Sequence, residues 1–392
     1  MTSTAALARR LGTSDAVAIG LSSMIGAGVF SAFGPAARAA GTGLLIGLAI
    51  AGGVAYCNAV ASAQLAAQYP TSGGTYVYGR ERLGEWWGFV AGWGFVIGKT
   101  ASCAAMALTF ASYAAAGSLW IDRGVAVAAV VVLTAANYYG ISRTAGLARV
   151  LVAVSILALL VVVVAIAASG HVHSGVGSSS FGAYGVLQAA GLLFFAFAGY
   201  ARIATLGEEV RDPEVTIPRA IPLALAITLV LYLAVALAAL AGAGPAALAV
   251  SVRPLATAVD AAGAAWALPV VRIGAAVASL GALLALIAGV GRTGLAMARN
   301  GDLPRWLASV HPRYRVPDHA ELAVALAVVI LVLTTDLRNA IGFSSFGVLL
   351  YYAVANASAY TQPAERRRWP RALNVAGLAG CLVLVVTLPW SA

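Results

Sequence analysis

The chain has 392 residues, 61% of them hydrophobic and 10% charged, with a mean hydropathy of +0.91 and a formal net charge of +10. Soluble domains carry roughly 25% charged residues, so this composition excludes a soluble fold and points to the bilayer. In a soluble chain the positive balance would suggest nucleic acid; here the bias of basic residues toward one membrane face explains it, and no nucleic-acid partner is expected.

Taken in order, the chain opens with Arg9-Arg10, an apolar run and Ala37-Arg38-Ala39, a superficial likeness to a cleavable signal peptide. The apolar run is longer than a signal core and holds two glycines, so a first membrane span is expected instead. Roughly eleven apolar segments are long enough to cross about 30 Å of hydrocarbon, near 14–36, 42–68, 86–117, 122–140, 146–169, 184–208, 217–243, 265–298, 319–336, 339–360 and 372–390. The connections carry turn chemistry: Tyr69-Pro70-Thr71-Ser72-Gly73-Gly74-Thr75 after the second segment, a Gly- and Ser-rich stretch from His171 to Gly182, and Arg211-Asp212-Pro213. The polar stretch from Met297 to Asp318 holds three prolines.

With the N-terminus inside, seventeen arginines, from Arg9-Arg10 to Arg371, fall on the cytoplasmic side. Five, Arg38, Arg123, Arg253, Arg272 and Arg338, fall outside. That asymmetry predicts a cytoplasmic N-terminus and, with an odd number of spans, an external C-terminus. Cys57, Cys103 and Cys381 all lie inside apolar segments and read as packing residues, with no metal-ligand spacing.

Two segments are interrupted. Ile25-Gly26-Ala27-Gly28-Val29-Phe30 puts two glycines in the middle of the first span, and Phe194-Phe195-Ala196-Phe197-Ala198-Gly199-Tyr200 interrupts the sixth. Hydrocarbon tolerates broken backbone only where it lines a cavity or meets a ligand. A pair of such breaks in corresponding positions of two halves is the sequence mark of a transporter's central site. The alternative is that the glycines only let helices pack closely.

Four stretches resemble the amino acid–polyamine–organocation transporter superfamily: Gly20 to Phe30; Tyr69 to Tyr76; Phe194 to Tyr200 with Glu208-Glu209-Val210-Arg211-Asp212-Pro213 and Ile217-Pro218-Arg219-Ala220; and Met297-Ala298-Arg299-Asn300-Gly301-Asp302-Leu303-Pro304. The resemblance implies an all-α integral membrane fold of the leucine-transporter type, a 5+5 inverted repeat with helices 1 and 6 broken at the midplane. One transmembrane domain is then expected, with repeats of about 14–169 and 184–360 and an extra helix at about 372–390. Family members usually have twelve spans, and this chain shows eleven.

An α-amino acid presents a carboxylate and an ammonium. The amides of Ala27, Gly28 and Val29, after Gly26, begin a half-helix whose positive dipole end favours the carboxylate. Carbonyls of Ile25, Phe194, Ala196 and Phe197 are the candidate ammonium acceptors, with Ala198 completing the second break; the resemblance implies the same assignment. It also places Phe195 where relatives carry an aromatic that closes over the substrate.

Two charges lie deep in the membrane. Lys99, the only lysine, stands about 13 residues into the third span, roughly 20 Å from its start. Such a charge usually faces a cavity or a partner. Lining the site and charged, it would repel cationic side chains and favour neutral or acidic amino acids; the alternatives are a structural lysine held by carbonyls and one whose charged form is disfavoured by desolvation. Arg202 either pairs with Glu208 or Glu209 or snorkels to the cytoplasmic side, and a gate or structural contact on the inner side is expected rather than substrate contact.

Some relatives place a lysine in span 5 where a coupling sodium binds in others, and the matching residue here is Ser155. Ser155, Ser279, Ser344 and Ser345 are the candidate coupling contacts, although serines in membrane helices mostly bond their own i−4 carbonyl. No cofactor is expected beyond sodium or a proton as coupling ion. The expected function is an amino-acid permease working by alternating access. The alternatives are a transporter or exchanger of another small organic solute, such as a polyamine or organic cation, and a non-transporting amino-acid sensor. His171, His173, His311 and His319 all fall in loops and no hydrolytic motif is present, so an enzyme is not expected.

Overall fold

The computed structural model describes residues 11–70, 73–115, 117–139, 145–170, 173, 182–204, 206 and 209–389. Arg9, Arg10, Arg143, His171 and Glu208 lie outside the described residues. Apart from one isolated bridge between Leu11 and Val210, the regular structure described is helical. A lipid solvent dictates this, because backbone groups at membrane depth must be satisfied within the segment.

The first span is three pieces: α1 Thr13–Met24, α2 Ala27–Ser31 and α3 Phe33–Ala40. A short 3₁₀ turn leads into α4 Leu44–Gln68, the second span. The third to fifth spans are α6 Glu85–Ala114, α7 Leu119–Tyr138 and α8 Ala145–Ala168. Between the second and third lies α5 Thr75–Leu83, a short helix that begins at the last residue of the Tyr69–Thr75 turn stretch, in a connection to which the sequence assigned no element. Gly74 at its start and Gly84 at its end have φ of +55° and +103°, left-handed values that glycine adopts without strain.

The sixth span is α9 Ala183–Phe197, a 3₁₀ turn Ala198–Tyr200 and α10 Ala201–Ala204. The seventh, α11, runs Pro213–Val250 but turns at Gly244, where φ is +72°. Its last residues and α12 Pro254–Ala261 form a helical connection to α13 Leu268–Arg299, the eighth span. α14 Asp318–Thr334, α15 Leu337–Tyr360 and α16 Arg371–Thr387 complete the chain.

Among the described residues nine helices are long and apolar enough to cross a membrane. α14 and α16, 17 residues each, supply the remaining two of the eleven expected segments. α6 packs against α13 and α15, α4 against α9 and α11, and α1 against α11 and α8. The α6–α15 contact is made backbone to backbone. A Cβ on Gly347 would stand 2.7 Å from the Gly98 Cα, and one on Gly98 would stand 3.0 Å from the Gly347 Cα. Without a hydrophobic force between helices in lipid, close packing through small residues is what holds such pairs.

Candidate functional site

The first helix stops at Ile25, whose φ/ψ of −79° and 66° leave the helical region, and Gly26 follows at −110° and −148°. Gly26 N–H turns back to the Met24 carbonyl at 2.8 Å. The helix then restarts at Ala27 with no side chain capping it, so the amides of Ala27, Gly28 and Val29 begin a fresh half-helix. Ala32 keeps helical angles, and Ala36 N–H donates to its carbonyl, so α2 and α3 act as one half-helix from Ala27 to Ala40.

The sixth span breaks more gently. Its chain does not unwind at Phe194–Phe197, as the sequence suggested, but stays helical to Phe197 and tightens into the 3₁₀ turn at Ala198–Tyr200. The reason is local: no glycine precedes Gly199 in that stretch, and alanine and phenylalanine keep helical φ/ψ without strain. The backbone carbonyls offered by this break are therefore shifted toward Ala198.

The two breaks touch reciprocally. A Cβ on Gly28 would lie 2.6 Å from the Cα of Ala196, and a Cβ on Gly199 would overlap the Ser23 carbonyl. Tyr232 of α11 sits across both. Its hydroxyl is 2.7 Å from the Met24 carbonyl oxygen and 3.1 Å from that of Ala196, with one hydrogen to donate between them. Nothing in the local sequence marks Tyr232; its ring simply packs on Phe197 at 5.2 Å.

Phe194 and Phe197 are buried outright, the first edge-on to Tyr352 at 5.9 Å. Phe195 is 7% exposed, so of the three rings it is the one reaching the surface of the packed core. Gly26 faces span 8 and span 3, where an added Cβ would meet Ala282 at 3.1 Å and the Met106 methyl at 3.6 Å. Ile25, Ala27, Gly28 and Val29 are buried at this junction.

Lys99 is 6% exposed, and its ammonium donates to the Ala198 carbonyl at 3.1 Å. The Tyr352 hydroxyl approaches the same oxygen at 3.5 Å. Among the described residues no carboxylate forms an ion pair with Lys99. Seven residues separate it from Met106, about 10 Å along the helix axis, so it stands below the level of the Gly26 break. This geometry is that of the carbonyl-held lysine left open by the sequence.

The coupling candidates divide. Ser155 lines a void of about 10 Å³ with Ser22, Ile25, Ala278 and Ala282, room for one water. Its hydroxyl donates to the Leu151 carbonyl at 2.9 Å, the i−4 pattern. Ser279 does not line that void; it is buried, and its hydroxyl has no hydrogen-bond partner among the described residues. Ser344 is elsewhere, its hydroxyl 2.6 Å from that of Ser102 between α15 and α6; Ser345 is buried beside it. Arg202 lies on α10, where the charges of Glu209 and Arg292 act on it.

A second cluster was not singled out from sequence as a site, although two of the four family-like stretches build it. The Tyr76 hydroxyl donates to Asp302 Oδ2 at 2.6 Å and accepts from Asn300 Nδ2 at 2.8 Å. Arg80 pairs with the same Asp302 oxygen at 3.0 Å and with Glu85 at 2.9 Å. Burial, and the bond to the Asp302 carboxylate, raise the Tyr76 phenol above its ordinary range, so it stays a donor at neutral pH. The helix α5 is thereby bolted to the end of α13. On the same face Leu11 exchanges backbone bonds with Glu209 and Arg211, at 3.1 and 2.8 Å, tying the start of α1 to the end of the sixth span.

The amino acid permease family model matches residues 11–392. The chain is 61% identical over 390 residues to an uncharacterized transporter of Mycobacterium tuberculosis, covering 98% of this chain and 87% of that one. It is 27% identical to the branched-chain amino acid permease BcaP of Bacillus subtilis, with 98% and 89% covered. It is 29% identical to the chloroplastic cationic amino acid transporter 7 of Arabidopsis thaliana, with 96% and 70% covered. The broken helices and these matches agree: the chain belongs to the amino acid permease family, multi-pass membrane transporters rather than enzymes.

Proposed function

We propose that the protein carries neutral or acidic amino acids across the cytoplasmic membrane by alternating access, with its N-terminus inside. The observation that carries this reading is the reciprocal packing of the two breaks, Gly28 on Ala196 and Gly199 on Ser23. It sets the half-helix that begins at the uncapped amides of Ala27, Gly28 and Val29 against Ala196 of span 6, and the positive end of that half-helix suits the carboxylate of an amino acid. The surrounding side chains, Ile25, Met106, Phe195, Ala278 and Ala282, are apolar, which suits a neutral side chain best.

Lys99, in its protonated form, enters as a positive charge below the junction. It disfavours a second cation through a medium of low dielectric, which weighs against lysine, arginine and polyamines. The substrates for which the Bacillus relative is named, branched-chain amino acids, agree with this reading. Those of the Arabidopsis relatives, cationic amino acids, supply the second one. For coupling, a proton or sodium near Ile25 and Ser155 is proposed, and no other cofactor.

Purified protein screened by thermal shift against the amino acids, with and without sodium, tests the substrate class, because a ligand of the folded state raises the melting temperature. Uptake into proteoliposomes tests turnover. Stabilisation by neutral or acidic amino acids, matched by uptake, is the expected result. Stabilisation by arginine, lysine or polyamines alone overturns the reading of Lys99, and binding without uptake identifies a sensor.

A further inference from the structure

α7 and α14 are the fourth and ninth spans, and the crevice between them is a groove of about 520 Å³ on the outer wall of the bundle. Its walls are helical stripes, with Thr134 and Tyr138 on α7, Tyr139 at its C-terminal cap, and Leu322, Ala325 and Leu326 on α14. Leu322 and Leu326 are exposed, so the groove opens sideways toward hydrocarbon.

Three features give it a polar end. Thr134 lines the groove and is 6% exposed, and its buried hydroxyl has no hydrogen-bond partner among the described residues. One turn on, Tyr138 meets His311 edge-on at 5.2 Å, and Tyr139 meets Tyr314 at 5.4 Å, so the groove closes on an aromatic rim. Exposed Arg313 stacks over Tyr314 at 5.4 Å, and exposed Arg315 follows. Arg315 has φ of +58°, one of two non-glycine residues in the left-handed region among those described. Such backbone persists where the surrounding structure enforces it, here a tight loop closed by His311 N–H on the Val316 carbonyl and Arg315 N–H on that of His311, both 2.9 Å. Asp318, the acidic residue beside this loop, is buried and accepts from the His319 amide at 2.9 Å, so the exposed charge at the rim is positive.

We infer that this groove binds one anionic phospholipid: acyl chain between α7 and α14, ester carbonyl on the Thr134 hydroxyl, and phosphate at Arg313 and Arg315. Apolar walls in hydrocarbon, a lone hydroxyl at ester depth, and aromatic and basic side chains at headgroup level match the polarity profile of that lipid along its length. The orientation proposed above puts this polar end in the cytoplasmic leaflet; the contacts themselves do not depend on it.

Native mass spectrometry of the full chain, released from nanodiscs of equal phosphatidylglycerol and phosphatidylcholine, reads the site. One phosphatidylglycerol should survive delipidation, preferred at least about fivefold. Ala325→Trp, which fills the groove, should lose it. Arg313→Ala with Arg315→Ala should keep a lipid but lose the preference. Should Ala325→Trp fail to fold, Thr134→Val gives the same readout through weaker retention. Equal retention of the two lipids by the unmodified chain, or unchanged retention in both groove variants, overturns the proposal. So does a shift from dimer to monomer on Ala325→Trp, which would make the groove an interface between copies.

Discussion

The ammonium of Lys99 and the carbonyl of Ala198 are joined by a 3.1 Å hydrogen bond, so the only lysine of the chain is fastened to the tightened turn of the sixth span. Lys99 combines a donor that holds the turn with a charge beneath the proposed substrate junction. The two are separable. Lys99→Gln retains a donor and removes the charge; it should keep the fold and let arginine and lysine compete for uptake. Lys99→Met removes both and should destabilise the protein by about 1–3 kcal/mol as well, since it leaves the Ala198 carbonyl only the longer 3.5 Å contact with the Tyr352 hydroxyl. Melting curves and competition assays on the two variants check this, and unchanged selectivity in Lys99→Gln would show that the charge plays no part.

The Gly28–Ala196 contact leaves no room for a side chain. Gly28→Ala places its Cβ 2.6 Å from the Ala196 Cα, a backbone atom that cannot rotate away. Gly199→Ala meets the Ser23 carbonyl in the same manner. Both variants should lose ligand-induced thermal stabilisation and uptake. Gly53→Ala, where nothing lies within 4 Å, serves as the control and should behave as the parent.

Tyr232→Phe removes the hydroxyl that lies between the Met24 and Ala196 carbonyls while leaving the ring against Phe197. A lost buried donor of this kind amounts to about 1–2 kcal/mol. Because the hydroxyl joins both breaks, uptake should fall by more than protein yield or melting temperature suggests. Equal uptake by the variant would show that the bridge is structural ballast.

Where α5 meets the end of α13, Tyr76 and Asp302 should be energetically coupled. In a double-mutant cycle of Tyr76→Phe and Asp302→Asn, read by thermal unfolding, a charge-assisted bond at a partly exposed site gives a coupling of about 1 kcal/mol. Additive effects would mean that the bond does not hold α5 to α13 in the membrane-embedded protein.

What the sequence by itself determined follows from the bilayer as solvent. Segments of about 20 apolar residues must become helices, and glycines at mid-depth must mark close contact or a break, so the spans and the first break at Ile25-Gly26 could be read directly. The second break was legible in place but not in form. Tyr232, Tyr76 and Asp302 were not legible as partners: Tyr76 and Asp302 stand 226 residues apart, and Tyr232 is 208 residues from Met24. Helices apolar on every side carry no amphipathic stripe to say which face turns inward. Whether Lys99 faced a cavity or a carbonyl, and whether Ser279 or Ser155 lined the void by Ile25, were therefore decided only when tertiary packing fixed each helix's rotation about its own axis.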